Sequence, residues 1–326
     1  MNSQVSIIIP TKKINDSLRQ ETLPAILNQS YKNFEIILLP DKKTKEKFPQ
    51  TKIIATYPRT GPADKRDLGV KKAKGEILAF LDDDSYPAKN WLKQAVKIFQ
   101  ESQIIVGVAG PALTPPTNNL RQKASGYVWS TWLGSGGAGN YRCALAPRRE
   151  VDDYPTVNLL VRKKDFLSVG GFDSHFWPGE DTKLCLDLTK KLKKKIVYHP
   201  GVVVYHHRRE VFGPHLKQIS RYAIHRGHFA RVLPETSFRL GYLLPSLFVL
   251  GLILGFFLSL AHPVFQLIYL GALGTYLAVL LFTATQVYCQ EKNLSLALLI
   301  IPSIFITHLV YGTLFIKGFF STELKR

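Results

Sequence analysis

Three consecutive carboxylates, Asp82, Asp83 and Asp84, close an unbroken apolar run from Ile77 to Leu81. A run of that kind reads as a strand covered on both faces, and in a parallel sheet the carboxyl end of such a strand opens into the ligand crevice. Adjacent carboxylates repel one another unless a cation or hydrogen-bond donors hold them. Oxygen ligands of this type suit Mg2+ or Mn2+, bound through one or two carboxylates and completed by substrate phosphates. The bland alternative is a solvated acidic turn ahead of a helix predicted over Ala88 to Gln100. A second acidic pair, Glu180 and Asp181, opens a helix predicted over Thr182 to Lys194. Carboxylates there either complement the helix dipole and do nothing more, or supply a general base at the mouth of a site. His206 and His207 end an apolar, β-rich run from Lys195 to Tyr205, and such a pair can bind metal or face lipid phosphates. The loop Gly134-Ser-Gly-Gly-Ala-Gly139 lacks the trailing Lys-Ser/Thr of a phosphate-binding P-loop, so it serves equally well as a hinge.

These groups must be carried by a scaffold, and the chain alternates accordingly. Strands are predicted over Val5 to Pro10, Phe34 to Leu39, Ile53 to Tyr57, the run into Asp82, Ile104 to Gly110, and Asn158 to Arg162. Helices are predicted over Leu18 to Asn28, Lys65 to Lys74 and Lys163 to Val169, the last ending in Gly170-Gly171. Strands alternating with helices imply βαβ units and a parallel sheet, an α/β fold whose carboxyl edge gathers the acids.

Charge and hydropathy divide the 326 residues. No Asp, Glu, Lys or Arg occurs from Leu240 to Gln290, nor from Asn293 to Ile316. Since about 20 apolar residues cross a bilayer, this tail can cross two or three times. Three spans, near Leu240–Ala261, Val264–Val287 and Leu294–Ile316, would leave Lys325-Arg326 outside, against the positive-inside tendency. The net charge of +19 is concentrated ahead of the first span: Lys183 to Arg239 holds thirteen Lys and Arg against three acids, a net +10. Anionic headgroups attract such a block by about 1 kcal/mol per residue, which favours a membrane surface over nucleic acid and puts the soluble part on the cytoplasmic side of a cell membrane. Leu216 to Leu233 interleaves basic and apolar residues as a helix lying at the interface does. Cys143, Cys185 and Cys289 have no metal spacing and suggest a reducing compartment, and the immediate start of a strand predicts no cleavable signal peptide. The expected plan is a catalytic domain over 1–212, a basic interfacial segment over 213–239, membrane helices over 240–318 and a tail over 319–326.

Taken in order, several of these stretches resemble the membrane-anchored family 2 glycosyltransferases of the GT-A fold. Val5 to Thr11 is similar to that family's first strand, Gly69 to Phe80 to the run before its DXD motif, and Asp82-Asp83-Asp84 to the motif itself. Gly170-Gly-Phe-Asp173 with Gly179-Glu-Asp181 resembles the acceptor-side signature, Gln218 to Gly227 the basic element that follows, and His308 to Gly312 a segment of members with C-terminal spans. Lys12-Lys13 and Asp67 depart from the family, which usually has an aromatic with Asn, and an Asn, at those places. The resemblance implies a GT-A domain with a Rossmann-like mixed or parallel sheet, followed by transmembrane helices, and an inverting, metal-dependent transfer from a nucleoside diphosphate sugar.

It implies that Asp84, Asp82 and His206 (or His207) hold Mg2+ or Mn2+. Pro10, Thr11, Asp41, Lys65, Arg66, Asp82 and Asp83 would line the donor, with Asp41 at the base and the two cations on the phosphates. Asp181 would be the catalytic base, supported toward the acceptor by Glu180, Trp177 and Arg221. A UDP-sugar is the first expectation for the donor, GDP or dTDP the alternatives, and the acceptor is a hydroxyl of a lipid-linked or envelope glycan. Transfer onto a polyprenyl phosphate is the alternative acceptor chemistry; a non-catalytic, basic membrane-surface scaffold is the alternative class.

Overall fold

The computed structural model describes residues 3–58, 60–137 and 139–323. Arg59, Ala138 of the glycine-rich loop and the terminal Lys325-Arg326 pair lie outside the described residues. The chain forms two compact units, one of residues 1–115 with 145–207, the other of 116–144 with 208–326. In this division 116–144 belongs with the second unit and 145–207 with the first.

The first unit is built on β1 (Val5–Pro10), β2 (Phe34–Leu39), β3 (Thr51–Ile53), β4 (Ile77–Phe80), β5 (Ser85–Pro87), β6 (Ile105–Ala109), β7 (Ala112–Leu113), β8 (Arg149–Val151), β9 (Leu159–Arg162), β10 (Lys195–Tyr198) and β11 (Val204–His206). Eight of them form a sheet in the order β3-β2-β1-β4-β9-β6-β10-β8, and β5-β11-β7 form a small second sheet. The central strands β1 and β4 are buried from end to end but for Pro10, as their unbroken apolar runs require. Helix Trp91–Glu101 lays Trp91, Leu92, Ala95 and Phe99 on the same core.

The sheet is mixed. β9 runs antiparallel to both β4 and β6, and β8 antiparallel to β10, while the other pairs are parallel. Two strand expectations change in the structure. The third strand is Thr51–Ile53, earlier than expected, and Ile54 and Thr56 carry its parallel pairing with β2 onward by donating to the carbonyls of Leu38 and Pro40. The run Lys195 to Tyr205 is broken at His199-Pro200-Gly201, which sends β10 and β11 to different sheets.

The second unit is helical. Helix Leu120–Ser130 begins in a reciprocal capping box between Asn119 and Gln122, a signal present in the sequence but not among the expected elements. Helix Gly213–Val232 follows, and then three helices long and apolar enough to cross a membrane: Leu240–Ala261, Pro263–Glu291 and Leu294–Phe320.

Candidate active site

The parallel register of β1 with β4 pairs Ile8 with Phe80, so the residues after each strand emerge side by side. Thr11 accordingly donates its hydroxyl to Asp83, and Asn15 reaches the same carboxylate at 3.3 Å. Asp83 and Asp84 lie in a turn closed by the Ser85 N–H on the Asp82 carbonyl at 3.3 Å, and Asp82 and Asp84 face a common point. The short antiparallel pairing of β5 with β11 then brings in a group from far along the chain. It sets His206 opposite Ser85, one residue beyond Asp84. Nε2 of His206 lies 3.1 Å from Oδ1 of Asp84, and ligand atoms of Asp82, Asp84 and His206 all fall within 4.8 Å of one another. His207, the next residue, points elsewhere: its Nε2 lies 2.6 Å from Oε2 of Glu21, and its backbone N–H donates to the carbonyl of Asp84 at 3.1 Å. Two carboxylates and an imidazole fit a divalent cation that accepts both oxygen and nitrogen, and Mn2+ does so more readily than Mg2+.

Helix Pro62–Lys72 feeds two cations into this edge from adjacent positions. Lys65 bonds the carbonyl of Thr11 at 2.6 Å and also the Asp41 carboxylate. Arg66 forks, one nitrogen 2.9 Å from Asp82 and another 3.0 Å from Glu180, with Phe172 beneath its plane at 5.9 Å. Lys65 and Arg66 are 3% and 4% exposed. Their charge faces the carboxylates of Asp41, Asp82 and Glu180. Asp41 is likewise engaged with Lys65.

Arg66 is the link that sequence reasoning missed. Through it Glu180, nearly as buried at 5% exposure, ties the Gly179-Glu180-Asp181 turn to the end of β4. Only the forked geometry of a guanidinium can satisfy two carboxylates on one plane. Asp181 is half-buried at the start of helix Glu180–Leu186, and its Oδ1 accepts the N–H of Thr182 at 2.8 Å. Trp177 lies just before that turn, half-buried, and Pro10 ends β1. Arg221 is exposed on helix Gly213–Val232 of the second unit.

Asp67, beside Arg66, reaches a different loop. Its Oδ1 accepts the N–H of Phe172 at 3.1 Å, and a Cβ on Gly171 (φ +82°) would come within 2.8 Å of that oxygen. Burial pushes the Asp67 carboxyl up to about 6 against the opposing pull of the Phe172 N–H, with Asp64 adding a smaller push.

Residues 6–166 match the protein family described as Glycosyl transferase family 2. The chain carries a family 2 glycosyltransferase domain. The match takes in the acid triplet, Lys65 and Arg66, and ends before Glu180, Asp181 and His206. An uncharacterized glycosyltransferase of Rickettsia bellii is 34% identical to the chain over 113 residues, which cover 32% of the chain and 16% of that protein. One of Haemophilus influenzae is 31% identical over 112 residues, 31% of the chain and 44% of that protein. The chain thus spans less than half the length of either relative. Among solved structures, the mannosyltransferase PcManGT of Pyrobaculum calidifontis, in complex with GDP-Man and Mn2+, superposes with a TM-score of 0.53 at 19% identity, over 94% of this chain and 87% of that one. At that identity the likeness is one of fold, and the glycosyltransferase domain therefore has the GT-A architecture.

Proposed function

We propose that the protein is an inverting, metal-dependent glycosyltransferase that moves a sugar from a nucleoside diphosphate sugar to a hydroxyl of a lipid-linked or envelope glycan, at the cytoplasmic face of the cell membrane. The observation that carries this reading is the convergence of Asp82, Asp84 and His206 on one point at the carboxyl edge of the sheet. Asp82, Asp84 and His206 would hold Mn2+ or Mg2+, whose positive charge favours departure of the nucleoside diphosphate. Asp181 accepts the proton of the acceptor hydroxyl as its oxygen attacks the anomeric carbon. Arg66 fixes the distance between that base-bearing turn and Asp82, and Lys65 holds Asp41 and the loop after β1 in place for the donor. The hydroxyl acceptor is favoured because a phosphate acceptor arrives ionised and needs no base. A lipid-linked acceptor is supported by the apolar helices of the second unit and by the basic residues between His207 and Leu240.

Thermal stabilisation of the detergent-solubilised protein by UDP-, GDP- and dTDP-sugars, each with and without Mn2+, tests the reading. The expected result is a shift with one nucleotide class that requires Mn2+ and disappears in Asp84→Ala. Folded wild-type protein that responds to none of them would make the acid cluster structural and favour the scaffold alternative.

A further inference from the structure

The three apolar helices of the second unit are not equivalent. In Leu240–Ala261 burial is confined to Pro245, Ser246 and Val249, and in Pro263–Glu291 to Leu280, Thr283, Ala284 and Val287, so each is covered at one end only. Phe248 stacks on Tyr276 with centroids 4.4 Å apart, and the Tyr269 ring lies against Gly255, which pairs the two helices as an antiparallel hairpin. Beyond these contacts the hairpin is bare: Phe257 is 64%, Leu260 71% and Leu267 74% exposed. Leu294–Phe320, by contrast, has a buried face that recurs along its whole length, from Leu296 to Gly318, although Leu298 and Phe305 on the other face are exposed.

What covers the third helix decides where it lies. Its first half packs Leu296, Ile300 and Ile304 against Ala124 and Val128 of helix Leu120–Ser130. Its second half runs beside helix Gly213–Val232. Nε2 of His215 lies 3.1 Å from the Thr307 hydroxyl, a Cβ on Gly318 would strike the carbonyl of Ile224, and His228 and Arg231 both reach the carbonyl of Ser321. The contact positions advance together along both helices, so the two lie parallel and side by side for roughly 20 Å at 1.5 Å per residue. The companion helix carries Lys217, Arg221, Arg226 and Arg231. Each would cost about 2.5–3.5 kcal/mol at the centre of a bilayer. A helix so charged does not lie in hydrocarbon, and neither does the stretch of apolar helix packed along it. The remaining first half, about 13 residues from Leu294, reaches only about 20 Å, short of the ~30 Å hydrocarbon layer. The third helix instead crosses the base of the hairpin, where the Ser246 hydroxyl donates to the carbonyl of Gly312 at 3.0 Å and Tyr276 meets His308 at 2.9 Å.

We propose that only the Leu240–Glu291 hairpin enters the bilayer, its bare outer half covered by lipid acyl chains, and that the third apolar helix lies outside the hydrocarbon at the membrane face. The chain then enters and returns, and the end of the third helix is on the same side as the glycosyltransferase domain. Of the two or three crossings that composition allows, this selects two, and it does not depend on the reaction the first unit catalyses.

Membrane-impermeant maleimide labelling of sealed vesicles reads the sidedness. In a background with Cys143, Cys185 and Cys289 replaced by Ser, single cysteines are placed at Asp16→Cys in the first unit, where the side chain is 82% exposed, and at Thr322→Cys just after the third helix. Both are expected to label from the same side. Labelling of the two from opposite sides would mean that an odd number of segments cross, and would overturn the proposal. Because Cys185 is buried and its replacement can unfold the chain, a protease-cleavable tag appended after Arg326 of the native chain provides a second readout of the same parity.

Discussion

Arg66 illustrates how one side chain sets the geometry of this site. It answers Asp82 and Glu180 together, so its removal leaves a carboxylate buried without its cation, a change that typically costs 3–5 kcal/mol. Arg66→Ala is therefore expected to lower the melting temperature sharply. Arg66→Lys separates stability from positioning, because an ammonium keeps the charge but cannot fork to two carboxylates. It is expected to fold, to bind donor near normally, and to lose at least about tenfold in kcat, since small misplacements of a catalytic group are costly. Unchanged kcat in Arg66→Lys would mean that Arg66 is only structural. Asp181→Asn removes the proton acceptor while preserving shape: a fall in kcat of roughly 10²–10⁴, with Mn2+-dependent donor binding retained, is the outcome expected of a general base. Near-normal turnover in that variant would assign Asp181 to the helix dipole alone.

At the scale of elements, the loop over Gly170–Asp173 hangs on the carboxyl of Asp67. Because burial raises this group from its ordinary 3.8 to about 6, the folded chain binds the proton more tightly than the unfolded one. The extra stability is complete below about pH 4 and is lost as pH rises toward 6. Asp67→Asn keeps an acceptor for the Phe172 N–H without the charge. It should abolish that pH dependence and raise stability at pH 7 by on the order of 1 kcal/mol, a value reduced for the partial exposure of the group. A variant no more stable than wild type at pH 7 in a melting series would refute the assignment.

Much of this scaffold was legible. The apolar runs of β1, β2 and β4 announce buried strands, and the acid triplet announces the edge they open onto. The resemblance, rather than any local pattern, singled out His206, whose approach to Asp84 depends on three-residue strands that no periodicity reveals. The split of Lys195 to Tyr205 was signalled by Pro200-Gly201, and the helix after Asn119 by its capping box. The Arg66 bridge was not legible, because Glu180 lies 114 residues away and only the closed fold makes them neighbours.

On the scale of the whole molecule, apolar composition marks three candidate spans equally, yet burial distinguishes them. A helix hydrophobic all round is either in lipid or in a protein interior, and composition alone cannot say which. The chain thus joins a GT-A domain to a helical unit in which apolar sequence serves two purposes. Mn2+ titration followed by electron paramagnetic resonance, in the presence of the nucleotide that stabilises the protein, most directly tests the proposed metal site of Asp82, Asp84 and His206. Wild type and His207→Ala are predicted to bind one tight Mn2+ per chain, whereas Asp84→Ala and His206→Ala lose at least about tenfold in affinity, the scale on which metal sites respond to lost ligands or their supports. Equal Mn2+ affinity in wild type, Asp84→Ala and His206→Ala, all shown to be folded, would contradict the account.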